Sequence, residues 1–229
     1  TKTIAGNAKP GQFVSVYTQD GSKLLPRPIS ICEINRGEKT MRFVYRVVGE
    51  GTEEFSKLSS GDKIEVLGPL GNGFPIPEKK AILIGGGIGI PPMLALAKAC
   101  KERPTVVLGY RDATLFLKEE FDKVADVVIA TDDGSVGTHG TVIDAMKEKN
   151  LTADVICACG PMPMLRGVKA YGLENEIETY VSMEERMACG IGACLGCVCQ
   201  STEVDSHSNV HNKRVCKDGP VFLSTEVEL

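Results

Sequence analysis

Apolar residues follow two different rhythms along this chain. Up to about residue 68 they form short runs broken by turn residues. A strand follows the Pro10-Gly11 turn and runs to Tyr17; others are predicted at Pro28–Ile34, Met41–Val48 and Lys63–Gly68, separated by turns at Asn35-Arg36-Gly37, Gly49-Glu50-Gly51 and Ser59-Ser60-Gly61-Asp62. Short strands at this spacing predict a small antiparallel β barrel. A short helix is expected at Glu53–Leu58, with Thr52 capping its start. No strand precedes the Pro10-Gly11 turn and the first residue is Thr1, so the barrel is expected to lack an N-terminal strand in this sequence.

Between Gly68 and Pro77 the composition turns to glycine and proline, and the rhythm then changes. Lys80–Ile84 reads as a fully buried strand, followed by the glycine turn Gly85-Gly86-Gly87-Ile88-Gly89 and, after Pro91 and Pro92, a helix from Met93 to about Cys100. Strands at Thr105–Tyr110, Val127–Thr131 and Val155–Ala158 alternate with helices at Leu115–Val124 and Val142–Lys149, and a last strand covers Glu178–Ser182. This alternation predicts a doubly wound parallel sheet. The fold class is β barrel plus α/β, with a barrel over residues 1–77, a nucleotide-binding α/β domain over 78–180 and a cysteine-bearing C-terminal extension over 181–229.

Composition narrows the function. The chain has 229 residues, 42% of them hydrophobic, which is enough for two modest cores. No apolar run approaches the ~20 residues of a membrane helix. A net charge of −4 with scattered Lys and Arg argues against nucleic-acid binding, and 5% aromatics without tryptophan argue against stacking on single strands. Nine cysteines with no signal peptide point to a reducing, cytoplasmic setting.

Four of those cysteines carry the strongest chemical signal. Cys189, Cys194, Cys197 and Cys216 read C-x4-C-x2-C-x18-C, and the first three have the plant-type [2Fe-2S] spacing. Gly190, Gly192, Ala193 and Gly196 leave the backbone room to fold around inorganic sulfide and bring amides to the sulfurs. Structural zinc usually needs paired C-x2-C knuckles or histidine ligands, whereas this stretch has one knuckle. A disulfide framework fits poorly with an odd cysteine count. A metal-free turn would leave the glycines without a cause. Cys199 reads as a packed bystander, and His207 and His211 as ordinary loop histidines.

Two barrel segments suggest a dinucleotide. In Arg27-Pro28-Ile29-Ser30 the guanidinium suits a pyrophosphate oxygen pair and the hydroxyl a ring nitrogen. Alone, the motif reads more readily as an exposed arginine before a strand. Val44-Tyr45-Arg46, running into Gly51-Thr52 and a helix N-terminus, adds a second arginine and free amides. Together the segments can hold a diphosphate with a flavin ring beside Ser30. In the second domain, the glycine turn departs from G-x-G-x-x-G, since Ile90 stands at the third glycine position. The loops Thr131–Gly137 and Cys159–Met164 lie at carboxyl ends of strands, where such sheets bind ligands. Cys159 could also be a buried cysteine in a turn. Arg111 suits a 2′-phosphate and Asp112 a ribose hydroxyl, which leaves NAD against NADP open.

In chain order, RPIS, VYRVVGEGT, GGGIGIPP and CGPMPML resemble the ferredoxin-NADP reductase superfamily. With ERMACGIGACLGCVC and RVCKDGP added, the chain resembles, over nearly its whole length, the electron-transfer subunits of class B, NAD-dependent dihydroorotate dehydrogenases. The resemblance implies FAD contacts at Arg27, Pro28, Ile29, Ser30, Val44, Tyr45, Arg46, Gly51 and Thr52. It implies [2Fe-2S] ligands at Cys189, Cys194, Cys197 and Cys216. It places NAD(H) phosphates at Gly86, Gly87 and Gly89, with Cys159 and Gly160 near the nicotinamide and Glu184 near the flavin. The implied partner is an FMN-containing catalytic subunit that oxidises dihydroorotate to orotate in pyrimidine biosynthesis, within a heterotetramer; the apolar Ile191 and Leu195 at the cluster-loop tip fit a contact surface. No Ser-His-Asp set or carboxylate pair calls for other catalysis. Two other readings stand beside this one: a related NAD(P)H reductase subunit acting on ferredoxin or sulfur compounds, and a zinc-binding regulatory module.

Overall fold

The structure is a computed structural model and describes residues 2–204 and 209–229; His207 lies outside the described residues. After α1 (Lys2–Asn7), strands β1 (Phe13–Tyr17), β2 (Arg27–Asn35) and β3 (Thr40–Phe43), helix α2 (Glu50–Ser56) and strand β4 (Glu65–Leu70) build the first unit. Its sheet is antiparallel with order β3-β2-β1-β4. The sheet does not close on itself; α1 instead packs against both edge strands, β3 and β4, and buries Ala5 and Ala8. Val14, Val16, Ile31 and Phe55 form the core of this unit.

Two expectations need correcting here. Val44–Val48 is β-branched and aromatic, as a strand should be, but it pairs with no strand. Its backbone turns into α2 instead: the Val48 N–H donates to Thr52 Oγ1 at 3.0 Å. Helix α2 starts earlier than predicted, with Gly49 as its cap, and Thr52 is the third helical residue.

The second unit alternates strand and helix: β5 (Ala81–Gly86), α3 (Ile90–Ala99), β6 (Thr105–Tyr110), α4 (Lys118–Asp122), β7 (Asp126–Thr131), β8 (Thr138–His139), α5 (Val142–Glu148), β9 (Val155–Cys159), α6 (Met162–Glu174) and β10 (Glu178–Ser182). Alternation along β5 sends Ile82 and Ile84 into the core shared with α5 and α6, and Ala81 and Leu83 into the core shared with α3. That two-sided burial is why the run is apolar throughout. Helix α4 is shorter than expected, because Asp112 accepts the Thr114 N–H at 2.8 Å and Leu117 takes φ 65°, which holds the preceding residues in turns. Helix α6 begins within what reads as a loop; Pro161 caps it and Pro163 sits in the first turn, where the missing N–H costs nothing.

The extension adds β11 (Val198–Gln200), β12 (Asn212–Arg214) and β13 (Val221–Leu223). The short β13 pairs antiparallel with β10 and completes a seven-stranded sheet of order β13-β10-β9-β5-β6-β7-β8. Cys197, Cys199, Val215, Cys216 and Phe222 share one core with that sheet and with Phe13 of β1. The Asn72 N–H donates to Gly219 O at 2.6 Å, so the extension is fastened to the first unit as well. Between the two units, α3 packs on β2, Arg42 grips both carboxylate oxygens of Glu120 at 2.9 Å, and Glu33 pairs with Lys98. Among the described residues, no helix is long and apolar enough to cross a membrane.

Candidate functional site

The cysteine loop folds as its glycines require. Gly190 and Gly192 take φ of 69° and 84°, and a Cβ on either would meet Ser15 Oγ at 2.9 Å or the Lys217 side chain at 2.6 Å. This conformation aims backbone amides at sulfur. Gly192 N–H donates to Cys216 Sγ at 3.1 Å, Ala193 to Cys189 at 3.2 Å, Cys216 to Cys197 at 3.3 Å and Gly196 to Cys194 at 3.4 Å. Each of the four sulfurs thus receives a hydrogen bond, which spreads negative charge into the peptides.

The sulfurs stand in two pairs, Cys189 beside Cys194 and Cys197 beside Cys216. At Cys189 burial opposes ionisation, but the backbone of Ile191, the Cys194 thiol and the amides of Cys194 and Ala193 prevail and bring it to about 6. Burial, then the neighbouring Cys197, pushes Cys216 up to about 12. Among the described residues, no three His, Cys, Asp or Glu side chains converge as one metal ion would need. Two pairs of thiols suit two irons, each of which takes two thiolates, so these residues fit a [2Fe-2S] cluster. Cys194 and the loop-tip residues Ile191 and Leu195 are exposed, while Cys197 and Cys216 are buried. Cys199 faces the core, where burial raises its thiol to about 11, and His211 is exposed on the surface.

The barrel residues also meet. Gly51, inside α2, lies under the Arg27 guanidinium, whose Nε, Cζ and Nη2 sit 2.5 to 2.8 Å from where a Cβ would be. Thr52 spends its hydroxyl on the backbone, donating to Gly49 O at 2.9 Å and accepting the Gly49 N–H at 3.2 Å, so it orders the turn. Tyr45 packs edge-on against Phe55 at 6.1 Å, beside the half-buried Val44. Arg46 is exposed, and its Nη2 reaches to 3.9 Å from the Cβ position of Gly87, so it bridges the first unit to the glycine turn of the second. Pro28, Ile29 and Ser30 are half-buried on β2, paired with Ser15, Val14 and Phe13 of β1. Leu24, Leu25, Val47 and Val48 are apolar yet exposed, the first 84% and the last 75%. Val47 and Val48 fall within the VYRVVGEGT motif, whereas Leu24 and Leu25, just before Arg27, lie outside the motifs.

In the second unit, the glycine turn and the Cys159–Met164 turn interlock. A Cβ on Gly89 would lie 2.2 Å from Cys159 O and 2.6 Å from Gly160 N, and one on Gly86 would lie 2.5 Å from Met164 Sδ. Both turns sit at the carboxyl ends of β5 and β9, between which the strand order reverses, and such a crevice is where open α/β sheets bind ligands. Burial pushes the Cys159 thiol up to about 12 against the Ser182 hydroxyl that bonds to it; the exposed Glu184 carboxylate adds to the rise. Arg111 and Asp112 are both exposed after β6. Two clefts have volumes of about 610 and 590 Å³: the first, by Asn72, is lined by Lys217 and Asp218 of the RVCKDGP motif beside Cys216, and the second lies between Phe74 and Ala95.

This fold and these sites define a pyridine-nucleotide-linked oxidoreductase of ferredoxin-reductase architecture with an iron–sulfur extension. Residues 184–228 match the iron-sulfur cluster binding domain of dihydroorotate dehydrogenase B. The chain is 44% identical over 234 residues to the dihydroorotate dehydrogenase B (NAD(+)), electron transfer subunit, of Fusobacterium nucleatum, with 96% of this chain and 87% of that one covered. It is 48% identical to the Listeria monocytogenes subunit of the same name, covering 99% and 89%. Among solved structures, an NADH-dependent reduced ferredoxin-NADP oxidoreductase superposes with a TM-score of 0.88 at 30% identity, over 100% of this chain and 82% of that one. The ferredoxin NADP+ reductase of Neisseria gonorrhoeae, at 18% identity and TM-score 0.60 over 74% and 80%, shares the fold. The chain belongs to the family of dihydroorotate dehydrogenase B (NAD(+)) electron transfer subunits. It is an oxidoreductase subunit that carries electrons, with NAD(H), FAD and an iron–sulfur cluster as its cofactors.

Proposed function

We propose that this chain passes electrons between NAD(H) and an FMN-containing catalytic subunit that oxidises dihydroorotate, in a cytoplasmic heterotetramer. The observation that carries this reading is the set of four sulfurs, each given a backbone N–H, three of them on a loop that meets Ser15, the β1 partner of Pro28. When bound, the flavin exchanges a hydride with nicotinamide and the cluster takes electrons one at a time.

The residues divide the work. Cys189 and Cys194 would hold one iron and Cys197 and Cys216 the other. Arg27 over Gly51, with Arg46 opposite, would neutralise the FAD diphosphate; Pro28, Ile29 and Ser30 would line the flavin ring, and Val44, Tyr45 and Thr52 would shape the same pocket. Gly86, Gly87 and Gly89 would admit the NAD(H) phosphates, and Cys159 with Gly160 would face the nicotinamide. Ile191 and Leu195 would meet the partner subunit, shielding the exposed Cys194 from water. Nine cysteines, an odd number with four of them spaced as cluster ligands, support a reducing compartment.

The 30% identity with an NADH-dependent ferredoxin-NADP oxidoreductase supports a second reading, in which ferredoxin replaces the catalytic subunit. One experiment separates the two. The chain is co-expressed with the FMN subunit, purified without oxygen, and assayed for iron, sulfide and NADH-driven orotate reduction. Cys194→Ser is expected to abolish orotate reduction while sparing NADH oxidation by artificial two-electron acceptors. Retention of both activities sinks the electron path; absence of any complex, with rapid ferredoxin reduction, favours the second reading.

A further inference from the structure

We propose that Arg214 is a positioning residue that tunes the cluster through the Gly192–Ala193 peptide. The proposal rests on the cluster reading above and concerns what stands behind the sulfurs. Arg214 ends β12, two residues before the ligand Cys216, and its side chain is 25% exposed. Asp218 helps to hold it in place: Oδ2 accepts the Arg214 backbone N–H at 2.8 Å and its Nε at 3.1 Å, while Nη2 lies 3.5 Å from Oδ1. With the guanidinium fixed, Nη1 donates to the Gly192 carbonyl at 3.1 Å.

That carbonyl belongs to the peptide whose N–H, on Ala193, donates to Cys189 Sγ at 3.2 Å. A cation therefore sits at one end of a peptide and a cluster sulfur at the other. Donation into a carbonyl polarises the whole peptide and strengthens the hydrogen bond its N–H makes, most of all where water is scarce. The preceding peptide is fixed separately, by the Gly192 N–H that donates to Cys216 Sγ at 3.1 Å. The Lys217 stem closes the other face of Gly192, where a Cβ would meet it at 2.6 Å. Arg214 thus reaches Cys189 through the Gly192–Ala193 peptide.

The sign follows from charge. Reduction adds an electron to a centre that is already anionic, so donors and nearby positive charge favour the reduced form and raise its potential. Asp218 opposes this, because it shares the guanidinium charge. Arg214→Gln should shift the cluster midpoint potential to more negative values by about 59 mV, a tenfold change in a one-electron equilibrium. Asp218→Asn should shift it the other way, since its amide oxygen can still accept from Arg214 while the opposing charge is gone. Arg214→Lys keeps the charge and should stay nearer to wild type than the glutamine variant.

The test is a redox titration of the purified, cluster-loaded protein, followed by electron paramagnetic resonance of the reduced centre, with iron and sulfide measured on each variant. Opposite shifts in Arg214→Gln and Asp218→Asn, with full loading, support the proposal; a purely structural role would lower loading without giving opposite signs. Unchanged potentials, or shifts of one sign, overturn it. Should the glutamine variant lose its cluster, Asp218→Asn decides alone, and no rise there overturns the proposal. Wild-type protein that binds no iron or sulfide would instead remove the cluster reading itself.

Discussion

The guanidinium of Arg27 lies on the bare Cα of Gly51, so close that a methyl group there would meet Nε at 2.5 Å. The clash is with the far end of a flexible side chain, so Gly51→Ala should displace Arg27 and leave the fold standing. Loss of one charge-assisted contact to a phosphate is worth roughly 1.5–3 kcal/mol, or about 10- to 100-fold in affinity. Titration of the flavin-free protein with FAD measures it. An unchanged affinity, at an unchanged melting temperature, would show that Arg27 does not hold the diphosphate.

Gly89 presents the opposite case, because its neighbours are backbone atoms: Cys159 O and Gly160 N, at 2.2 Å and 2.6 Å from the position a methyl group would take, cannot swing aside. Gly89→Ala should separate the glycine turn from the Cys159 turn and destabilise the second unit by about 1–3 kcal/mol, the usual cost of overpacking. NADH binding should fall with it. Thermal unfolding and an NADH titration check this, and a variant as stable as wild type with equal NADH affinity would contradict the interlock.

The contact between the two units should show a pH signature. The Lys98 ammonium, against some burial and with help from Arg42, holds the Glu33 carboxyl below its ordinary value. A carboxyl depressed on folding contributes stability above its unfolded pKa and loses it as the pH falls through the folded value. With the Glu33 side chain 31% exposed, the contribution is about 0.5–1 kcal/mol. Urea midpoints should therefore fall more steeply for wild type than for Glu33→Gln below about pH 4.5. Parallel curves would remove Glu33 from the account.

Much of this arrangement was legible in the residues. Continuous apolar runs such as Ala81–Ile84, closed by glycines, mark buried parallel strands, and the spacing of Cys189, Cys194 and Cys197 marks a tight metal loop. Features that depend on partners distant in the chain were not legible. Val44–Val48 has strand composition, yet a strand also needs a neighbour, and here the backbone is drawn into α2 by Thr52. The three-residue β13 is too short to stand out, and it exists because β10 offers an open edge. Helix α6 was hidden because Pro161 and Pro163 read as loop residues, although proline suits a helix start. Arg214 and Gly192 are 22 residues apart, and nothing in their local sequence announces the bond between them.

Strand β1 carries one further consequence. Ser15 pairs with Pro28 along one edge, while its hydroxyl meets Gly190. The segment bearing Arg27 and the loop bearing Cys189 therefore lean on the same residue of β1, one along the ladder and the other on its side chain. A one-residue slip of β1 against β2 would turn the Ser15 hydroxyl to the opposite face of the sheet and take that support from the Cys189 loop.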